Sequence, residues 1–293
     1  MVELLMDITQ QLINGLMYGA FYALIGIGFT IFFGVMKKFN LAYGPIIMLG
    51  MYAGLIFVYG IKGHVWLVLL AAILGSVAAG LVVERACFRY LRKGHELAPL
   101  MTTIGMLILV EEGAVAVTAG YGYEFPAFFG DESLQVGPFL VRPDYLAILG
   151  AGICFVTLLY LLIHWTTFGR AIRAVAENPP AAQLLGVNLL KVNTLTFILI
   201  SALGGATGFF VAVSIGALKP DIAAWMTIRG LVVIVLGGLG SFPGAILGGL
   251  LLGVVEFQAL WFLGIKFRDI FAFLLLFSFL VLRPQGFMGK KLV

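Results

Sequence analysis

The sequence predicts an all-α, polytopic transmembrane helical bundle of about eight or nine spans, some of them short or broken. First, 62% of the 293 residues are hydrophobic and only 11% are charged, against about 45–50% and about 25% in soluble domains. So few charges cannot clothe a soluble core of this size, and lipid has to cover the remainder. Second, the apolar residues fall in windows of about 20, the length that crosses roughly 30 Å of hydrocarbon. Third, the 38 glycines follow neither a collagen period nor a low-complexity run. Many are spaced four apart, as in Gly15/Gly19, Gly50/Gly54, Gly204/Gly208, Gly244/Gly248 and Gly249/Gly253, the spacing that lets membrane helices approach closely.

The windows run in order at 8–35, 41–60, 65–83, 97–119, 145–163, 194–216, 221–240, 243–263 and 269–283. The first follows Met1-Val2-Glu3, which lacks the basic region and cleavage site of a secretory signal, so a permanent span is expected. Asn40-Leu41-Ala42-Tyr43-Gly44-Pro45 ends one helix and opens another. The run Gly237-Gly238-Leu239-Gly240-Ser241-Phe242-Pro243-Gly244 does the same between 221–240 and 243–263, which read either as two spans or as a full span plus a half helix. The expected organisation is one transmembrane domain over 1–293, with an inner loop at 169–188 and an outer loop at 120–144.

Lysine and arginine favour the cytoplasmic side and orient the chain with its N-terminus outside and its C-terminus inside. The inner connections and tail then hold Lys37, Lys38, Arg85, Arg89, Arg92, Lys93, Arg170, Arg173, Lys191, Arg283, Lys290 and Lys291, against Glu84, Glu96 and Glu177. The outer segments hold Lys62, Arg142, Lys219, Arg229, Lys266 and Arg268, outnumbered by Glu3, Asp7, Glu124, Asp131, Glu132, Asp144, Asp221 and Asp269. The net charge of +4 and the pI of about 9.1 are therefore a topology signal. No basic stretch interleaved with aromatics points to nucleic acid. Cys87 and Cys154 form no disulfide framework or metal cluster. His64, His95 and His164 have neither ligand spacing nor a partner nucleophile, which argues against metal chemistry and intramembrane hydrolysis.

The inner loop carries a capped helix. Asn178 is a good N-cap, Pro179 suits the first helical position, and Gly186 suits the left-handed residue past the end. A helix of about seven residues is not stable alone in water. It either packs on its own bundle or serves as a docking element. The two Gly/Pro breaks are either tight loops, with Tyr43 an interfacial aromatic, or a solute path in which helix starts near residues 45 and 244 offer free N–H groups to a carboxylate. Glu111, Glu112 and Glu256 lie inside spans, where an ionisable group is a functional candidate because its desolvation is costly. The outer interface is the other place for them. The aromatic and acidic segment 120–144, with Tyr121, Tyr123, Phe125, Phe128 and Phe129, either docks a protein or sits in the interfacial belt.

Four segments in order resemble the permeases of branched-chain amino acid ABC importers: Asn14-Gly15, Asn40-Leu41-Ala42-Tyr43-Gly44, the loop from Gly169 to Asn188, and Val235 to Ala245. The resemblance covers most of the chain and implies ABC importer permease architecture. It implies a second, homologous permease chain, two cytosolic ATPases and an extracytoplasmic solute-binding protein as partners, in a bacterial inner membrane. The loop becomes an ATPase-coupling element, with Leu184 and Leu185 as anchors and Arg170, Arg173 and Glu177 as polar rim beside Asn178, Pro179 and Gly186. The substrate path would involve Asn14, Tyr43, Gly44, Thr102, Thr103, Gly105, Glu112, Gly238, Gly240 and Ser241, although inward threonines also bond their own backbone. The family often has His then Glu where this chain has Tyr43 and Pro45, and polar amides near Glu112. The expected solutes therefore extend from branched-chain to other hydrophobic amino acids and related small carboxylates. No Gly-x-x-x-x-Gly-Lys-Ser/Thr loop occurs, so no cofactor is expected here and ATP is expected on a partner. The alternative is an ion-coupled secondary transporter working through Glu111 or Glu112, and it has no need of a capped inner helix.

Overall fold

The computed structural model describes residues 2–61, 64–90, 97–130 and 133–289. Lys62, Arg92, Lys93, His95, Glu96, Asp131, Glu132, Lys290 and Lys291, which entered the charge and histidine arguments above, lie outside the described residues. Every predicted window holds a helix: α1 Val2–Met36, α2 Tyr43–Ile61, α3 Val65–Glu84, α4 Ala98–Thr118, α5 Pro143–Trp165, α8 Leu189–Ile215, α9 Ile222–Gly237, α10 Phe242–Leu263 and α11 Ile265–Leu282. Two further helices, α6 Thr167–Glu177 and α7 Pro179–Leu184, fill the loop between α5 and α8. Among the described residues α1, α2, α3, α4, α5, α8 and α10 are long and apolar enough to cross a membrane. The short member of the α9–α10 pair is α9, whose 16 residues span about 24 Å. Between α4 and α5, the strands β2 Leu134–Val136 and β3 Phe139–Val141 form a hairpin. The short strand β1 Tyr123–Glu124 pairs antiparallel with β4 Ala217–Leu218.

The chain forms two compact units. One comprises Ile31–Pro126 and Phe155–Ile228. Its centre is α2, α3 and α8, which approach through glycines: Gly50 and Gly205 both face Ala72 and Ser76 of α3, and Gly80 of α3 faces Ser201 of α8. With no side chain between them the backbones pack at short range, the usual basis of helix association in lipid. An aromatic cluster fills the space beside them, with Phe32 and Phe197 at 4.6 Å between ring centroids and Phe88 and Phe197 at 5.2 Å. Tyr43 belongs to this core. It is fully buried and donates its hydroxyl proton to Ile200 O at 3.3 Å, which corrects the interfacial-aromatic expectation.

The other unit comprises Met1–Thr30, Ala127–Cys154 and Arg229–Val293. Here α1 and α10 lie in backbone contact: a Cβ on Gly15 would stand 2.8 Å from Val254 Cα, and one on Gly19 would stand 2.9 Å from Leu250 Cα. The hairpin is fixed to α1 by Gln10, whose side-chain amide donates to Leu140 O at 2.7 Å and accepts from Leu140 N at 3.0 Å. The segment after α11 returns to the end of α9, where Phe287 N donates to Leu236 O at 2.8 Å and Met288 N to Gly237 O at 3.0 Å. A helix end leaves such carbonyls without intrahelical partners, and this strap supplies them. Gly238 and Gly286 meet there with φ of 97° and 70°, and a Cβ on either would collide with the other strand's backbone.

Candidate functional site

The loop between α5 and α8 has the caps that its sequence predicts. Asn178 Oδ1 accepts from Ala181 N at 3.1 Å, Pro179 opens α7, and Gly186 takes φ 85°. Val187 N then donates to Ala182 O at 3.0 Å and Gly186 N to Gln183 O at 3.0 Å, closing the C-terminal end as glycine-terminated helices do. Leu184 is 90% exposed and Leu185 84%, so neither helps to hold α7 onto the chain; Ala182 is the buried contact. The helix α6 before it buries Gly169, Ile172 and Val175 and is capped by Thr166, whose Oγ1 accepts from Gly169 N at 3.0 Å. Arg173, expected in the polar rim, is exposed and donates to Ile163 O at the end of α5, at 2.6 Å. Arg170 and Glu177 are exposed.

The residues assigned to a substrate path divide between the two units. In the first unit described, Gly44 packs against Ala223 and Thr227 of α9. Thr102 Oγ1 lies 2.9 Å from Ala98 O and 3.3 Å from Cys87 O, and Thr103 Oγ1 donates to Leu100 O at 3.0 Å. These hydroxyls thus bond backbone carbonyls. Gly105 and Glu112 are exposed on α4, and Glu111 is half-buried. In the other unit, Asn14 Oδ1 accepts from Gln10 Nε2 at 3.2 Å. Gly238 is buried against the strap, while Gly240 is exposed with φ 79°. Ser241 caps α10 by accepting from Gly244 N at 3.2 Å, and Ala245 N donates to Ser241 O at 3.0 Å. The expectation of free N–H groups near residue 244 is corrected: the cap already uses them.

A cluster of buried charges lies in the same unit. Glu256 of α10 is 0% exposed. It accepts from Arg229 Nε of α9 at 3.1 Å, from Arg268 Nε of α11 at 2.7 Å and from the Tyr22 hydroxyl of α1 at 2.5 Å. Arg268 Nη2 also donates to Tyr22 Oη at 2.7 Å, and its guanidinium lies 5.7 Å from the Tyr18 ring centroid. Arg229 is paired in addition with Asp269. Buried Glu256 and Arg229 are offset by the partly buried Arg268 and by Asp269, whose side chain is 61% exposed, and directed hydrogen bonds repay part of the desolvation. The cluster joins four helices and corrects two expectations: Arg229, counted with the outer charges, is 2% exposed within α9, and Glu256, for which the outer interface was one alternative, is 0% exposed among the helices. A cation inside 222–237 and an anion inside 242–263 were the available signal, because charges within spans pair with one another.

Apolar spans in close glycine contact, a largely buried ion cluster shared among four helices, and a capped loop helix with two exposed leucines define a polytopic helical membrane protein. The comparisons with known proteins give the family. Residues 11–280 match the model described as branched-chain amino acid transport system / permease component, and the chain belongs to that family. It is 35% identical to the high-affinity branched-chain amino acid transport system permease protein BraD of Pseudomonas aeruginosa, covering 96% of this chain and 95% of that protein. It is 31% identical to the corresponding permease protein LivH of Escherichia coli K12, covering 99% and 98%. In fold it is similar to PsaBC from Streptococcus pneumoniae, solved in complex with Fab, with a TM-score of 0.51, 12% identity and coverage of 94% and 89%. By their names the relatives are permease proteins of transport systems. They give no support to the ion-coupled alternative.

Proposed function

We propose that this chain is the membrane permease subunit of an ATP-driven importer for branched-chain or other hydrophobic amino acids or related small carboxylates. An extracytoplasmic solute-binding protein delivers the solute, a second, homologous permease chain completes the pathway, and two cytosolic ATPases bind and hydrolyse ATP. The chain itself carries no cofactor. It lies in a bacterial inner membrane with the N-terminus outside and the C-terminus in the cytoplasm.

The observation that carries this reading is the pair Leu184 and Leu185, held outward on a capped helix by Asn178 and Gly186. Large apolar side chains on a water-facing loop are costly unless a partner covers them, and a short helix laid in a groove is a recurrent docking mode. Arg170 and Glu177 supply charged groups beside it. The candidates for contact with the solute are Tyr43, Gly44, Thr102, Thr103, Gly105 and Glu112 in one unit and Asn14, Gly238, Gly240 and Ser241 in the other. Replacing Leu184 and Leu185 together with Asp is expected to abolish uptake and co-purification of the ATPase while the chain still inserts. Unchanged uptake at normal expression would overturn the assignment.

A further inference from the structure

The loop helix α7 leads directly into α8, and the first turns of α8 are tied to the end of α3. Asn188 caps α8 by accepting from Lys191 N at 3.0 Å, and the Thr194 hydroxyl donates to Glu84 Oε1 at 3.0 Å. Glu84 is the last residue of α3 and is 3% exposed. Its other oxygen, Oε2, has no hydrogen-bond partner among the described residues. A buried carboxylate with one donor is incompletely compensated for its lost hydration, and such an orphan calls for a physical reason. Immediately after Glu84 the helix widens into a π-helical turn, Arg85–Arg89, an irregularity frequent at functional sites. That turn is also held to α4, through the contact of Thr102 Oγ1 with Cys87 O at 3.3 Å.

Away from this end, α3 and α8 are locked together. Gly80 sits on Ser201, and a Cβ on Gly205 would stand 2.7 Å from Ile73 Cα. Close-packed helices of this kind transmit a displacement instead of absorbing it. A push on α7 therefore reaches α8 through its capped first turn and the end of α3 through the Thr194–Glu84 bond, and the glycine contacts beyond carry the movement along both helices.

We propose that Glu84 is a positioning residue for energy coupling: through Thr194 it holds the start of α8 to the end of α3, so that ATPase-driven displacement of α7 moves both helices together. In the alternate state of the cycle its second oxygen, which has no partner among the described residues, takes up a donor, which gives the junction two discrete arrangements. This inference rests on α7 being the ATPase contact.

The test uses the complete transporter in proteoliposomes, with its binding protein and with leucine as the transported probe, and reads ATP hydrolysed per leucine imported. Glu84→Gln replaces one oxygen with an N–H donor, and Thr194→Val removes the hydroxyl at similar volume. Each is expected to raise that ratio at least about fivefold, the low end of typical coupling between sites. The ATPase remains associated, the double variant is no worse than the singles, and Thr194→Ser restores the wild-type ratio. An unchanged ratio, or loss of ATPase association in both single variants, would overturn the proposal. If Glu84→Gln does not assemble, the contrast of Thr194→Val with Thr194→Ser decides alone. Failure of the α7 contact is seen separately, because only the Leu184/Leu185 double Asp variant should release the ATPase.

Discussion

At the residue scale, the strongest constraint is the bonding of Glu256. Its carboxylate receives a proton donor from each of three helices, Tyr22 from α1, Arg229 from α9 and Arg268 from α11, and none of its surface is exposed. Removing one partner from a buried ion pair leaves the other charge uncompensated and costs about 3–5 kcal/mol. Glu256→Ala is therefore expected to lower the thermal unfolding midpoint in detergent markedly. Glu256→Gln, which retains an acceptor oxygen and the shape, is expected to fall between it and the wild type. Glu112→Gln serves as the contrast, because Glu112 is exposed on α4 and should leave the midpoint nearly unchanged. Equal midpoints for Glu256→Ala and Glu112→Gln would mean that the cluster contributes no stability. The cluster was only partly legible in the sequence. Charges inside apolar windows stand out, but which of them meet depends on helix rotation and on partners more than 200 positions apart, as with Tyr22 and Glu256.

At the element scale, α7 shows how a local signal is read correctly and a neighbouring one missed. Its boundaries follow from backbone chemistry confined to nine consecutive residues, from Asn178 to Gly186, so the sequence alone places it. The amphipathic helix α6 was missed because its buried face, Gly169, Ile172 and Val175, is short and sits between charges, a pattern that a loop shares. Six residues cannot sustain a helix without help, since nucleation is unfavourable. The cap at Asn178 should therefore carry a large share of the stability of α7. Asn178→Ala removes the acceptor for Ala181 N, a loss of about 1 kcal/mol, roughly a fivefold change in the local helix population. Amide hydrogen exchange over 181–185 is expected to quicken by that factor while exchange in α8 is unchanged, and Asn178→Asp should restore protection. Equal exchange in the wild type and Asn178→Ala would show that packing of Ala182, not the cap, holds the helix.

At the scale of the whole molecule, most spans were legible because the membrane imposes a minimum apolar length on each of them: all nine windows hold helices, and among the described residues seven of those helices are long and apolar enough to cross. The strap from Gly286 to Met288 on the end of α9 was not legible, since backbone hydrogen bonds between distant segments leave only scattered glycines in the sequence. The division of the path residues between two compact units was hidden for the same reason. Charge distribution remains the basis for orientation. The loop carrying α6 and α7 holds Arg170, Arg173 and Lys191 against Glu177, whereas the segment from α4 to α5 holds Arg142 against Glu124, Asp131, Glu132 and Asp144. Cationic residues close to helix ends are retained on the cytoplasmic side, so the first loop should be inside and the second outside. This is checked by placing single cysteines at two exposed sites, Gln135 in the hairpin and Gln183 on α7, in a variant with Cys87 and Cys154 replaced by Ser. A membrane-impermeant maleimide is expected to label Gln135→Cys in intact spheroplasts, and to label Gln183→Cys only after the membrane is opened. The opposite pattern would invert the chain, place α7 out of reach of any cytosolic ATPase, and remove the basis for coupling through Leu184, Leu185 and Glu84 together.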